Sequence, residues 1–251
     1  NLILSDGVPV YNASHLFGFF SVFNADAIKN VRLTKGGFPA RYGGRLSSVL
    51  EIDMKEGNMK KIEGEGSIGI VASKLTLQGP IIKDKTAFII SGRRTYIDLL
   101  TQPFIKRASD GDASGGYFFY DLNAKINHKL SEKDRLYLSF YRGKDLFYVS
   151  NRDTEDYVSE SEVGIGWGNI TSALRWNHLF SNKLFSNTIL TYSRYFLDVE
   201  FENRYEYPEG NEEFRFAYYS GIEDYGAKID FDYLPNPNHY VRFGFNHTYH
   251  T

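Results

Sequence analysis

The chain has 251 residues, a formal net charge of −2 and no cysteine. The near-neutral charge gives no electrostatic footprint for nucleic-acid binding, and the absence of cysteine excludes disulfides and thiolate metal sites. Tyrosine and phenylalanine are abundant, with 19 and 20 residues, and there are 23 glycines. This composition favours β-structure over helix.

No stretch of the sequence approaches the roughly 20 consecutive apolar residues that a membrane-spanning helix needs. Asn1 is followed by neither a basic segment nor a cleavage site, so no signal peptide is indicated. The sequence pattern at both termini is that of a strand. We therefore expect this chain to be a piece of a longer protein.

The first part of the chain, residues 1–58, has the pattern of a small mixed domain. Asp6-Gly7 is a tight-turn signal between two short apolar strands. Asn24 or Asp26 is expected to cap a short helical turn. Two further strands then flank a glycine-rich connection, residues 36–44, whose paired glycines permit a compact bend.

From Ile62 onward, apolar and polar residues alternate, most clearly in residues 117–130. One face of that segment carries Phe118, Tyr120, Leu122, Ala124, Ile126 and Leu130, and the other carries Asp121, Asn123, Lys125, Asn127 and Lys129. Residues 224–233 and 239–249 alternate in the same way. A period of two indicates strands with one apolar and one polar face, and the pattern predicts about nine of them after residue 60.

The connections between these predicted strands alternate in length. Short polar connections are expected near Lys83, Ser131, Ser181 and Pro235, and long loops at 97–116, 149–163 and 202–214. In an up-and-down meander, this order places all short turns at one end and all long loops at the other. That segregation is typical of outer-membrane barrels.

The energetic cost of placing a charged side chain in lipid indicates which face of the predicted strands is turned toward the membrane. A Lys or Arg that faces lipid at mid-membrane costs roughly 2 to 4 kcal/mol. Asn123, Lys125, Lys228 and Asp230 are therefore assigned to a wet inner face, and the apolar rows are assigned to lipid.

The predicted fold class is mainly β, a transmembrane antiparallel up-and-down β-barrel preceded by part of a small α+β domain. Nine strands cannot form a single-chain bacterial barrel, and an open edge in lipid would leave backbone groups unsatisfied. The barrel in residues 59–251 is therefore expected to be incomplete, with further strands beyond Thr251.

Residues 28–52, IKNVRLTKGGFPARYGGRLSSVLEI, contain a strand that ends in Lys35-Gly36-Gly37 and then the run Ala40 to Gly44. This stretch resembles the "rIEVlkGp" and "a.YG.gg..gvi.i" signature at the end of the plug domain of outer-membrane TonB-dependent receptors. Leu2–Val10 is similar to the "vlvllDGvpv" strand and turn of the same plug, and Thr76–Pro80 to an early barrel strand. Gly37-Phe38-Pro39 departs from the commoner form, which has Gly-Pro directly.

The resemblance implies a 22-stranded barrel closed by a plug, of which residues 1–58 are the C-terminal half. It implies as partners an energised TonB protein, acting through a segment upstream of Asn1, the outer-membrane lipid, and a nutrient ligand. The typical nutrients are a siderophore, cobalamin, a glycan or a peptide. It implies no cofactor, no nucleic acid and an outer-membrane location.

Two groups of site residues follow from the residue types together with this resemblance. The plug apex is expected to contact substrate through Tyr11, Asn12, His15, Phe17, Phe19 and Phe20, with packing of the phenylalanines against the barrel wall as the alternative. Contacts between plug and barrel are expected from Arg41, Tyr42, Arg45, Arg93 and Arg94, with anion binding as the alternative.

The other motifs in the sequence indicate neither a metal site nor an active site. Residues 109–115 begin like a calcium loop with Asp121 at the last ligand position, but flanking helices are not indicated, and a flexible extracellular loop is favoured. His247 and His250 are three residues apart on a predicted strand and so point to opposite faces, which argues against a metal site. No Ser/His/Asp set is indicated, and we expect no enzyme activity.

The function predicted is that of a TonB-dependent receptor and transporter that binds a scarce nutrient and imports it with energy from the TonB system. Two alternatives remain open, a passive outer-membrane porin or adhesin barrel and a soluble β-rich binding domain. The pattern of residues 1–52 argues against the first, and the segregation of connections by length argues against the second.

Overall fold

A computed structural model describes residues 1–37, 39, 41–43, 47–154 and 157–251, and for Phe17 it describes the backbone alone. The described residues form a small sheet near the N-terminus, a separate two-stranded ribbon and a nine-stranded sheet. The predicted mainly β fold is confirmed.

The small sheet has the strand order β2-β1-β6-β5 and is here called, with its ribbon, the N-terminal unit (residues 1–54). Strands β1 and β6 are parallel, and the other pairs are antiparallel. Two short 3₁₀ helices, Leu16–Gly18 and Ala25–Ala27, connect its strands. The strands are β1 Leu2–Ser5, β2 Val8–Pro9, β3 Ser14–His15, β4 Phe20–Ser21, β5 Ile28–Lys35 and β6 Ser48–Met54, of which β3 and β4 form the ribbon.

Two short sequence motifs form the turn and the helix cap that were expected of them. Asp6 and Gly7 turn the chain between β1 and β2 with φ angles of 49° and 88°, a conformation that Gly adopts without cost and Asp tolerates. The side chain of Asn24 accepts a hydrogen bond from the Asp26 backbone N–H at 3.2 Å, so Asn24 is the cap of the second 3₁₀ helix.

The large sheet contains nine antiparallel strands in sequence order, as predicted. Its two outer strands, β7 and β15, are not paired with each other, so the described sheet is open. The strands are β7 Glu63–Ile68, β8 Ala72–Ile82, β9 Thr86–Thr95, β10 Ala113–Lys129, β11 Asp134–Asp153, β12 Val158–Ser181, β13 Leu184–Tyr207, β14 Gly210–Asn236 and β15 His239–His250, and helix α1 is Ile97–Ala108. Within the described part of the chain, no helix has the length and apolar character needed to cross a bilayer.

The short connections occur where they were predicted, but the three long loops were wrong. The first of them, 97–116, contains α1 and the start of β10. In the other two, 149–163 and 202–214, the paired strands continue almost to the hairpin tips, so that β13 and β14 are joined by two residues. Strand pairing needs only backbone hydrogen bonds, so it persists where both faces are polar and the apolar alternation has faded.

The large sheet covers its polar face and exposes its apolar face, which is the inverse of the polarity of a soluble sheet. On β10, the covered positions are Asp121, Asn123, Lys125 and Asn127, each at most 7% exposed, whereas Leu122 and Ile126 are each 40% exposed. Leu138, Leu174 and Leu190 continue the exposed apolar face on the next strands, at 44% to 52%. The polar face is covered because it packs against the N-terminal unit. The polar rows lie on the covered face, as predicted, and contact of the apolar rows with lipid stays a prediction.

Candidate functional site

The junction between the N-terminal unit and the large sheet is built around His15. This residue is 1% exposed; Nδ1 lies 2.5 Å from Asp145 Oδ2, and Nε2 lies 2.7 Å from Asp121 Oδ1. Carboxylates only accept hydrogen bonds, so both ring nitrogens must donate, which is the protonation state of the imidazolium. The alternation of strands β10 and β11 brings the two carboxylates to the inner face.

Three further side chains, Arg93, Tyr117 and Tyr141, contact these groups. The six residues together are here called the His15 cluster. Arg93 donates to Asp121 through Nε at 2.7 Å and Nη2 at 2.5 Å, and Tyr141 donates to the same carboxylate at 2.9 Å. Tyr117 donates to Asp145 and accepts from the Leu16 backbone N–H. Two carboxylates are thereby balanced by one guanidinium and one imidazolium, which makes burial of all four charges tolerable.

The apolar side of the cluster fixes the ring of His15 in place. Phe119 is fully buried and stacks on the imidazole with the ring centroids 4.1 Å apart and the planes at 4°. Phe20 packs against Phe119 from the N-terminal unit with the centroids 5.4 Å apart. Burial by itself lowers the pKa of His15, but the hydrogen bonds and charges of Asp121 and Asp145 outweigh it and raise that pKa above its ordinary value.

A second polar contact lies at the first turn of the chain. Lys125 Nζ lies 2.9 Å from Asp6 Oδ1 and 3.1 Å from the Met54 carbonyl oxygen, with both charged side chains almost fully buried. Arg175 donates to the Asp6 carbonyl oxygen at 2.8 Å. The turn residue Asp6 is therefore held by two strands of the large sheet.

The remaining contacts follow the segment after β2. The Tyr11 hydroxyl donates to Asp224 on β14, and the Asn169 amide on β12 donates to the Asn12 carbonyl oxygen at 2.6 Å. Ser193 on β13 donates to the Pro9 carbonyl oxygen at 2.6 Å. The N-terminal unit is thus bonded to strands across the large sheet by polar groups, with an apolar patch at Ile89 and Tyr141.

Of the residues expected to hold the two parts together, Arg93 does so directly, since its Nη2 also donates to the Ser21 carbonyl oxygen at 2.6 Å. Tyr42 is buried, and Lys228 of the large sheet lies over its ring at 5.8 Å. Arg41 contacts Tyr42 and Glu51 within the N-terminal unit and lies near enough to Asp232 of the large sheet for a charge interaction. Arg94 pairs with Asp98 at 3.1 Å. The expected role of these two arginines stays a prediction. Arg45 lies outside the described residues.

The residues expected to contact substrate occupy different environments. Phe19 is 82% exposed, Phe20 packs on Phe119, and Tyr11, Asn12 and His15 make the junction contacts described above. The side chain of Phe17 lies outside the described part of the chain. The substrate role of all six stays a prediction, and the geometry provides in addition a structural role for Tyr11, Asn12, His15 and Phe20.

An open cavity of about 520 Å³ lies beside the ribbon of the N-terminal unit. It is lined by Asn12, Ser14, Phe147, Ile165, Trp167, Tyr195 and Leu197. Asn12 and Ser14 belong to the N-terminal unit, and the five apolar and aromatic residues come from the inner faces of β11, β12 and β13. An aromatic wall with a few amide and hydroxyl groups is typical of organic ligand sites. Sequence reasoning missed Trp167 and Tyr195 because β12 and β13 alternate poorly, although Trp167 is one of only 2 tryptophans in the chain.

No group of three or more His, Asp or Glu side chains with metal-binding geometry occurs among the described residues. The calcium-like segment at 109–121 contains the turn after α1 and the first nine residues of β10, which replace the predicted flexible loop. The carboxylate of Asp121 is hydrogen-bonded to His15, Arg93 and Tyr141 in the junction.

No family model and no curated protein matches the sequence. Among solved structures, the siderophore receptor PirA from Acinetobacter baumannii matches 100% of this chain and 49% of its own, with 13% identity and a TM-score of 0.43. The ferric enterobactin receptor PfeA from Pseudomonas aeruginosa matches 99% of this chain and 49% of its own, with 14% identity and a TM-score of 0.42. FpvA from P. aeruginosa, in a complex with a pyoverdine and iron, matches 100% and 45%, with 9% identity and a TM-score of 0.44. The chain spans about half the length of these solved structures.

Proposed function

We propose that this chain is part of an outer-membrane TonB-dependent receptor that binds a scarce nutrient for import. Residues 1–58 would be the C-terminal half of the plug, and residues 59–251 the first strands of the barrel. The resemblance of residues 28–52 to the plug signature supports this proposal from the sequence. The TonB protein is the proposed energy-coupling partner.

The observation that carries the proposal is the inverted polarity of the large sheet. Asp121, Lys125 and Asp145 are buried against the N-terminal unit, whereas Leu190 and Phe245 are 52% and 66% exposed on the opposite face. In water, each large apolar side chain left uncovered forgoes roughly 1.5 to 3 kcal/mol of burial. The arrangement is stable when lipid covers the apolar face and the lumen holds the polar one.

The candidate ligand site is the cavity beside the ribbon. Trp167 and Tyr195 offer aromatic faces, and Asn12 and Ser14 offer polar groups from the unit that would be the plug. An organic ligand of this size class would contact both the plug and the wall, so that its binding is linked to the junction. Siderophores, cobalamin, glycans and peptides all remain candidates.

The first test is whether the full-length protein behaves as a barrel. We expect it in the outer-membrane fraction and expect a gel mobility that changes on heating, since closed barrels resist detergent until heated. A protein that stays in the soluble fraction without detergent would contradict the proposal and favour the soluble β-rich domain.

The second test uses the two tryptophans as a matched pair. Trp167 lines the cavity, whereas Trp176 lies on the outer face and is 42% exposed. Ferric enterobactin, ferric pyoverdine and cobalamin would be titrated into the full-length protein and into the W167A and W176A variants. For whichever compound binds, we expect W167A to weaken the affinity roughly tenfold and W176A to leave it unchanged. Equal effects of the two changes would exclude this cavity as the site.

A further inference from the structure

Beyond the His15 cluster, toward the long hairpins, the inner face of the large sheet changes from polar to apolar. Two neighbouring rows of the strand register cross β11, β12, β13 and β14 there. The first row is Phe147, Ile165, Val199 and Tyr218, and the second is Val149, Val163, Phe201 and Phe216. Directly opposed residues share a face, and side chains alternate along each strand, so both rows lie on the face that carries Asp145. These eight residues are here called the apolar rows.

The outer face of the sheet changes in the opposite sense at the same height. The outer positions next to the apolar rows include Glu162 on β12, Glu200 and Glu202 on β13 and Arg215 on β14. Nearer the short turns, the outer face is apolar, as at Leu190. The part of the sheet near the long hairpins therefore has the polarity of a wall that stands in water.

The height of the apolar rows agrees with that polarity. Phe147 lies 13 residues beyond Asp134, the first residue of β11 after a short turn. Thirteen residues of strand span roughly 43 Å, or about 33 Å along the membrane normal after a tilt of about 40°, whereas the apolar band of a barrel is about 25 Å tall. The rows would therefore lie outside the membrane, on the inner wall of an entrance to the barrel.

The described part of the chain leaves the apolar rows partly uncovered. Phe216 and Tyr218 are each 51% exposed. Phe147 and Ile165 of the first row also line the cavity beside the ribbon. The rows thus extend the apolar wall of that cavity away from the N-terminal unit.

The charges around this surface are mainly negative. Among the described residues of β10 to β14, the inner positions beyond the His15 cluster contain no lysine, arginine or histidine. The long hairpin segments 149–163 and 202–214, here called the acidic hairpins, contain ten acidic and two basic residues, although the whole chain has a net charge of only −2. Such a concentration of one sign of charge attracts cations and repels anions.

This combination fits a ligand that is both cationic and apolar. An anionic iron chelate would meet negative charge at the hairpins and no cation on the inner wall. A glycan would place hydroxyl groups against aliphatic side chains such as Val149, Val163 and Val199, which cannot bond to them. A peptide with basic and apolar side chains complements the acidic hairpins and covers the apolar rows.

We propose that the apolar rows and the acidic hairpins bind an oligopeptide that carries both basic and apolar side chains. This inference names the ligand class of the cavity beside the ribbon and rests on the proposed function. The acidic hairpins attract the peptide from the medium, and the apolar rows hold its apolar side chains next to the N-terminal unit.

Tyr218 and Tyr219 provide a matched pair for the test. They are adjacent on β14, so their side chains lie on opposite faces, and they are 51% and 61% exposed. Tyr218 belongs to the apolar rows, whereas the hydroxyl of Tyr219 donates to Glu200 on the outer face at 2.7 Å. The variants Y218S and Y219S remove the same exposed side chain from the same height.

Full-length protein in lipid discs would be titrated with three hexapeptides of alternating sequence, one of Lys and Leu, one of Glu and Leu, and one of Lys and Ser. In an extended peptide the alternation places all leucines on one side. We expect wild type to bind the Lys/Leu peptide roughly tenfold more tightly than the other two, and added salt to weaken that binding. Y218S should bind the Lys/Leu peptide about tenfold more weakly, and Y219S should bind it as wild type does.

Equal affinity for the three peptides, or equal effects of Y218S and Y219S, would overturn the inference. If another segment of the full-length protein covers the apolar rows, Y218S will lower the temperature at which the gel mobility changes and leave the peptide affinity as it was, which would also overturn it. A wild-type protein that inserts into membranes but prefers none of the peptides refutes this inference alone. One that does not enter membranes refutes the proposed function instead.

Discussion

His15 Nδ1 lies 2.5 Å from Asp145 Oδ2, joining the ribbon of the N-terminal unit to the inner face of the large sheet. The opposite ring nitrogen makes the same kind of contact to Asp121. One side chain therefore connects the unit that would be the plug to two neighbouring strands of the wall. The strength of this contact depends on the charge of a single imidazole.

Replacing His15 is expected to loosen the N-terminal unit without unfolding the large sheet. In H15A, two buried carboxylates share Arg93 alone, and removal of one partner from a buried ionic group costs about 3 to 5 kcal/mol. Hydrogen exchange of residues 1–54 in the full-length protein would measure this loss. His239 lies exposed in the last hairpin, so H239A is the control, and equal exchange in H15A and H239A would contradict the prediction.

The same contact is expected to weaken as pH rises. The pKa of His15 is raised in the folded protein, so its stabilising contribution is fully present below the ordinary value of about 6.5 and is lost as pH rises through the folded pKa. Asp121, Asp145 and Arg93 are the charged groups at this contact. Exchange of the N-terminal unit should accelerate with pH beyond its intrinsic dependence.

The variant H15Q tests the source of that pH dependence. Glutamine can donate to one carboxylate but does not titrate, so the excess acceleration should disappear in H15Q. An unchanged pH profile in this variant would assign the effect to another group.

The buried pair of Asp6 and Lys125 allows a double-mutant cycle. K125M leaves the Asp6 carboxylate without its cation and should cost about 3 to 5 kcal/mol, and D6N in the same chain should recover part of that loss. Asn tolerates the positive φ of residue 6, so the turn is preserved. Lys29 and Glu56 form an exposed pair at 2.9 Å, and K29M should cost at most about 1 kcal/mol.

Two adjacent positions on β13 distinguish the faces of the sheet. Leu190 lies on the apolar outer face, whereas Thr191 lines an open cavity between the two parts of the molecule. L190R should reduce stability in lipid by roughly 2 to 4 kcal/mol, and T191R should cost much less because its guanidinium reaches a wet space. Denaturant unfolding in lipid vesicles measures both, and similar losses would contradict the assignment of faces.

The sequence predicted features that depend on near neighbours and on simple periodicity. The Asp6-Gly7 turn and the Asn24 cap follow from local backbone chemistry, and the nine strands follow from alternation. The faces of β10 were predicted because Asp121 to Asn127 alternate without interruption. The limits of the long hairpins were not predictable, since 149–163 and 202–214 have no apolar alternation to mark them as strand.

The site residues were predicted only in part because their partners are distant in the chain. His15 was singled out by its residue type, but its two carboxylates lie 106 and 130 positions away. Arg93 contacts both the N-terminal unit and the large sheet, whereas Arg41 pairs with Glu51 and Arg94 pairs with Asp98. Charge alone does not reveal which of several carboxylates an arginine will face.

The sequence by itself determined the number of strands, the positions of the short turns and the polar side of β10, because a period of two is a local property of the backbone. Only the tertiary structure decided that His15 lies between Asp121 and Asp145. Strand register brings those three together, and register is set by backbone pairing over the whole length of β10 and β11.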